Sequence, residues 1–146
     1  MNYYEKKVAE MLDVSPFGNK DCKGIPKHVA FLFSGRELLQ VQTNARYLHH
    51  AEEAIMKTRN SWYTRKKLRI YVTKVGGAHK MSRPCWYCSM QMKKIPSIRV
   101  FYTCKDGTWQ EDTNLDNVHL SMRDMGRNRN CITRITPPKK ILDAHR

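Results

Sequence analysis

Acidic residues are scarce in this chain. Asp and Glu together number 13 against 27 Lys and Arg, which leaves a formal charge of +14 over 146 residues. That balance argues against a basic macromolecular partner. It favours a polyanion, or anionic substrates steered by the summed field, although a solvated basic face would give the same count. Long hydrophobic runs are missing too. No apolar stretch approaches the ~18 residues a membrane span requires, and no secretory leader is visible, so an intracellular protein of cytoplasm or nucleus with no membrane partner is expected. Cysteines are few: Cys22, Cys85, Cys88, Cys104 and Cys131. Their odd number and uneven spacing make a poor disulfide framework, so the one C-x-x-C pair is left for metal or thiol chemistry. There is no internal repeat, low-complexity tract or dividing linker. With 40% hydrophobic residues, residues 1–146 are expected to form one α/β domain with its own core.

Periodicity orders the elements. Tyr4, Val8 and Leu12 share one helical face, which predicts an amphipathic helix over 2–13. Residues 28–33 (HVAFLF) and 38–43 (LLQVQT) read as two strands joined by a turn at SGRE. From His50 the period changes, and Ala51, Ala54, Ile55 and Trp62 can line one helix face. Residues 68–75 (LRIYVTKV) predict a third strand. Pro84 suits the first turn of a second helix, running to about Ile95. Residues 98–103 (IRVFYT) predict a fourth strand, and the Asp-Gly in KDGT predicts a hairpin to a fifth. Residues 119–146 carry seven basic and two acidic residues and form a basic C-terminal segment.

Two short motifs carry the chemistry: His50-Ala51-Glu52 and, some thirty residues on, Pro84-Cys85-Trp86-Tyr87-Cys88. A catalytic zinc site takes three protein ligands and leaves a fourth position for water, whereas a structural site is closed by four. His50, Cys85 and Cys88 supply three. Cys85 and Cys88, at i and i+3, fall on one face of a predicted first turn, where free N–H groups and the helix dipole favour thiolates. Glu52 sits two residues after the histidine and points elsewhere, which suits a proton shuttle better than a ligand. The competing readings are a structural zinc knot and a redox C-x-x-C. H-x-E followed by P-C-x-x-C is, however, the signature of zinc nucleobase deaminases.

On these residues the chain resembles the cytidine deaminase-like superfamily, over roughly residues 28–104. The stretch MSRPCWYCSMQMKKIPSIRVFYTCKDGTW is closest to uncharacterised CMP/dCMP-type domains of some large DNA viruses and eukaryotes. The resemblance implies a three-layer α/β/α sandwich around a mixed five-stranded sheet. It implies Zn2+ held by His50, Cys85 and Cys88, with Glu52 as catalytic proton shuttle. It makes Asn44 a substrate-sugar contact, and gives the main chain at Ala51, Arg83 and Cys85 the polar edge of the base. The expected enzyme is a hydrolase of an amidine carbon–nitrogen bond, converting cytosine to uracil in a nucleotide or nucleoside. The runner-up is a cytidine deaminase of single-stranded DNA or RNA, and adenosine deamination ranks third. A non-enzymatic alternative is a zinc-stabilised nucleic-acid-binding module. A homo-oligomer is left open. The connection from the third strand to Pro84 is longer than in compact members.

Several residues also have plain readings. His49 is an expected neighbour of the ligand, and Glu53 an expected solvated carboxylate. Cys22, Cys104 and Cys131 are expected to be packed or free thiols. Asn44 could instead cap a helix, and Trp86, Tyr87 and Tyr102 could border a base or simply pack. The basic residues cluster at Arg65–Lys67, at Lys93–Lys94, and between Arg127 and Lys140.

Overall fold

The computed structural model describes residues 1–14, 27–44, 50–76 and 80–113. In order these form α1 (Tyr3–Val14), β1 (Lys27–Ser34), β2 (Glu37–Thr43), α2 (Ala51–Met56), β3 (Leu68–Val75), α3 (Trp86–Lys93), β4 (Arg99–Thr103) and β5 (Trp109–Glu111). The architecture is α/β with a mixed five-stranded open sheet in the order β2-β1-β3-β4-β5. Only β3 and β4 run parallel, because α3 carries the chain back between them; the other pairs are antiparallel. The basic segment 119–146 lies outside the described residues, as do Cys22, His49 and Cys131.

The turns form where the sequence supplies their chemistry. Gly35 adopts φ +57° between β1 and β2, a conformation that L side chains rarely take. In the second hairpin Asp106 Oδ1 accepts the Thr108 N–H at 3.0 Å, and Gly107 follows at φ +88°.

Alternation along the strands sends side chains to two cores. Val29, Phe31, Phe33, Tyr71 and Phe101 pack with Val8, Tyr4, Met11 and Leu12 of α1. Ala30, Leu32, Ile70, Val72 and Val100 pack instead with Ala51, Ile55 and Met56 of α2 and Cys88 and Met92 of α3. The first core is largely aromatic: Tyr71 stacks on Phe101 with ring centroids 4.4 Å apart and meets Trp109 edge-on at 5.2 Å. Fixed ring geometry of this kind adds to the area buried.

Helix α2 is shorter than its apolar period suggests. It stops at Met56, a 3-10 turn at Arg59–Ser61 follows, and Trp62 still reaches the core by donating Nε1–H to Thr58 Oγ1 at 3.2 Å. The short helix lies so flat that Ala51, Glu52, Glu53, Ile55 and Met56 are all buried. Glu53, expected to be solvated, is therefore 8% exposed.

Candidate metal centre

The site is built at two helix N-termini. His50 is the N-cap of α2 and Cys85 the N-cap of α3, both with extended backbone. Their carbonyls accept the first intrahelical N–H groups, from Ala54 at 3.1 Å and Ser89 at 2.9 Å. This shifts the expected geometry by one step. Pro84 precedes the cap instead of opening the helix, and Cys85 stands outside the first turn. The pairing of thiols survives because N-cap and third helical positions face each other, as in a capping box. Cys88 occupies that third position.

The three donors converge. His50 Nδ1 lies 3.4 Å from Cys85 Sγ and 3.4 Å from Cys88 Sγ, and all three ligand atoms lie within 4.8 Å of one another. A single ring nitrogen carries one proton or one lone pair, so one hydrogen bond cannot account for two equidistant sulfurs. A cation between them can. Tetrahedral zinc with bonds of ~2.3 Å to sulfur and ~2.05 Å to nitrogen places those atoms about 3.6 Å apart. The donor set therefore fits zinc, with Nδ1 as the histidine ligand. No other His, Cys, Asp or Glu among the described residues joins the group. Cys104 is directed elsewhere, its Sγ donating to Gln110 Oε1 at 3.8 Å.

The electrostatics suit a thiolate donor. Hydrogen bonding from Cys88, together with His50, holds the Cys85 thiol well below its ordinary pKa, against the upward pull of burial. Glu52 is 2% exposed, and among the described residues its Oε1 has no hydrogen-bond partner. Burial raises its pKa, the Cys85 charge adds to the rise, and His50 opposes it.

Asn44 is committed to the sheet on one side. Its Oδ1 accepts the His28 N–H at 2.8 Å and its own N–H donates to the His28 carbonyl at 3.2 Å. It is not the cap of α2, which is His50. Ala51 is fully buried beneath the triad. The Arg83 guanidinium pairs with the buried Asp112 carboxylate at 3.4 Å and lies 5.8 Å from the Tyr102 ring centroid. Tyr102 and Trp86 are 9% and 8% exposed, so both rings are mostly packed.

Two residues at the site were not singled out beforehand. His28 sits on the same sheet face as Ala30 and Leu32, close enough to feel His50 and Cys85. Burial, with His50 and Lys74 adding, lowers its pKa to about 4. Ser82 holds the approach to Cys85. Its Oγ lies 2.7 Å from the Val72 carbonyl and 2.8 Å from Thr103 Oγ1, and it accepts the Thr103 N–H at 2.8 Å. Ser82 lies three residues before Cys85 in the stretch MSRPCWYC, and that spacing was its one visible signal.

No protein-family model, no curated protein and no solved structure matches the chain. The deaminase resemblance is thus carried by the motif residues themselves. What the fold and the site define is an α/β protein with a His/Cys/Cys cluster whose donor atoms lie close enough to hold one metal ion.

Proposed function

We propose that the protein is a zinc-dependent hydrolytic deaminase, replacing the exocyclic amine of cytosine in a nucleotide or nucleoside with a carbonyl oxygen. The observation that carries this reading is the convergence of His50, Cys85 and Cys88 beside a buried Glu52 with an unpartnered oxygen. The three-layer α/β/α arrangement belongs to the same proposal, supported by helical residues packing on both faces of the sheet. When bound by this donor set, zinc supplies Lewis acidity that brings the pKa of water toward ~7.

The chain's own residues supply the remaining chemistry. Glu52 takes a proton from the attacking water and passes it to the ring nitrogen of the base. It then delivers the second proton to the amine, which leaves as ammonia, while the water oxygen stays as the new carbonyl. Burial raises the Glu52 pKa, so the carboxyl holds the proton it takes from water until the base and the amine receive it. Main-chain groups at Ala51, Arg83 and Cys85 would hold the polar edge of the base, and the Asn44 amide nitrogen would reach its sugar.

The charge of +14 favours a second reading, in which the cytosine lies in single-stranded DNA or RNA. Mass spectrometry of products from CMP, dCMP, cytidine and single strands of DNA and RNA, each with and without chelator, separates the two. Chelator-sensitive conversion of any one of them to its uracil form supports the reaction. No conversion in any arm by zinc-loaded protein refutes it and leaves a zinc-stabilised binding module.

A further inference from the structure

The metal triad lies toward the end of the sheet where β1 begins and β3 finishes. The opposite end carries a second feature. There the β1–β2 turn, the starts of β3 and β4, and Tyr4 of α1 enclose a cleft of about 590 Å3. Four of the side chains lining it are cations: Arg36, Lys67, Arg69 and Arg99.

This concentration of charge opposes folding. Arg69 and Arg99 are register partners on adjacent parallel strands, and like charges directly opposite each other destabilise a sheet. Among the described residues Arg99 has a carboxylate partner, Glu111, whereas Arg36, Lys67 and Arg69 have none. The backbone is strained at the same place. Lys67 at φ +55° and Ser97 at φ +59° are the described non-glycine residues with positive φ, and both line the cleft. Each such conformation costs of order 1–3 kcal/mol and persists only where the surroundings enforce it.

The guanidinium groups are held by ring faces. Arg36 lies 4.6 Å from the Tyr3 centroid, and Arg69 lies 4.4 Å from Tyr4 and 5.5 Å from Phe101. Arg99 covers Phe101 as well, at 5.2 Å. These contacts pin the cations before any ligand arrives. They also cover the rings, so a ligand meets N–H donors and positive charge in place of an open stacking surface.

We propose that this cleft binds the phosphodiester backbone of a nucleic-acid strand, without reading its bases. Planar guanidinium donors match phosphate oxygens. Three cations without a carboxylate partner among the described residues, with the paired Arg99 beside them, exceed what a single phosphate needs, and the +14 charge of the chain steers polyanions toward the cleft. The cleft gathers residues beside the end of β1 and the start of β3, whereas His28, which feels His50 and Cys85, lies at the other end of β1. It is therefore an anchoring surface, separate from any pocket for a target base, and it stands whether or not the protein is a deaminase.

The test is fluorescence anisotropy of labelled oligo(dT) against the full chain over a salt series. Arg36 and Lys67 are exposed, so Arg36→Gln and Lys67→Gln remove charge without opening the core. Each variant should flatten the slope of log K against log salt by ~0.7, the contribution of one phosphate contact on a single strand. The double variant should lose about twice that and keep wild-type turnover of whichever free nucleotide the wild type converts. Absence of oligo(dT) binding at low salt would overturn the proposal, as would a slope unchanged in the double variant. Displacement of the strand by CMP at equal phosphate concentration would make the ligand a mononucleotide. Displacement by vesicles of anionic lipid would make it a membrane surface. Either of those results also overturns the strand assignment.

Discussion

Ser82→Ala tests whether the approach to the metal centre is held as the hydrogen bonds indicate. Ser82 is 2% exposed and Thr103 is 3% exposed, so water cannot substitute for either group. The Ser82 oxygen accepts the Thr103 N–H at 2.8 Å. The Thr103 hydroxyl donates onward to the Lys80 carbonyl at 2.6 Å, so the single Ser82 proton is shared between the Val72 carbonyl and Thr103 Oγ1. Alanine removes an acceptor and a donor together. The buried Thr103 N–H then loses a partner, at a cost of ~1–3 kcal/mol, and the lost donor adds ~1 kcal/mol. A total of about 2–4 kcal/mol should lower Tm by roughly 6–15 °C for a domain near this size. Differential scanning calorimetry of zinc-loaded and chelated protein measures it. Ser61→Ala is the control, because Ser61 is exposed and its hydroxyl only returns to the Thr58 carbonyl. It should stay within ~0.5 kcal/mol of wild type. A Ser82→Ala shift as small as that of the control would refute the assignment of Ser82 as the anchor of the Cys85 approach.

Two further predictions concern the centre. Purified protein should carry one zinc per chain by elemental analysis, and Cys85→Ala should lose it. Chelation of the wild type should lower Tm, since zinc at 100 times its Kd adds ~2.7 kcal/mol of stability. His28, its pKa lowered from the ordinary 6.5 to about 4 chiefly by burial, should contribute an acid-sensitive term. The unfolded chain binds the His28 proton first, so that contribution is complete above pH ~6.5 and is lost as pH falls toward ~4, by at most about 3 kcal/mol. Urea denaturation of chelated His28→Gln should show a correspondingly smaller stability difference between neutral pH and pH ~4. An identical acid limb in variant and wild type would count against a neutral, half-buried His28.

The elements were legible because each rests on a local signal. Alternation and β-branching placed β3 at Leu68–Val75, and Asp106-Gly107 placed the last hairpin. The cysteine pair was legible for the same reason, since N-cap and third-position spacing is short-range, whereas His50, far off in sequence, was joined to it by the H-x-E and P-C-x-x-C pattern. What could not be read depends on tertiary contacts. Nothing in the local pattern told that α2 would stop at Met56 and bury Glu53 against the sheet. The side-by-side approach of Arg69 and Arg99 is separated by thirty residues, and only the parallel crossover brings it about. Asn44 was weighed as a cap or a sugar contact, and its side-chain oxygen has a further role that neither reading named, accepting the His28 N–H beside the β1–β2 pairing. Local chemistry predicts the first two kinds of role; register decides the third.

Glu52→Gln distinguishes an enzyme from a protein that keeps zinc only to hold its fold. A carboxylate buried to 2% exposure with an unpartnered oxygen is a stability defect in the metal-free protein. Glutamine keeps its size and shape without the buried charge, so chelated Glu52→Gln should be more stable than chelated wild type, by ~1–2 kcal/mol. Loading with zinc should shrink that gain, because a dication beside the site favours the charged form of Glu52. Both readings of the protein share these two outcomes. They part on turnover. In a deaminase the variant that stabilises the apo chain should also lose ~10²–10⁴-fold in rate while still binding one zinc, since glutamine cannot carry the proton. In a structural zinc protein it would be a free improvement, with strand binding at the distant basic cleft untouched and no activity to lose. Near-wild-type deamination by Glu52→Gln would move the proton to another group and refute the role assigned to this carboxylate.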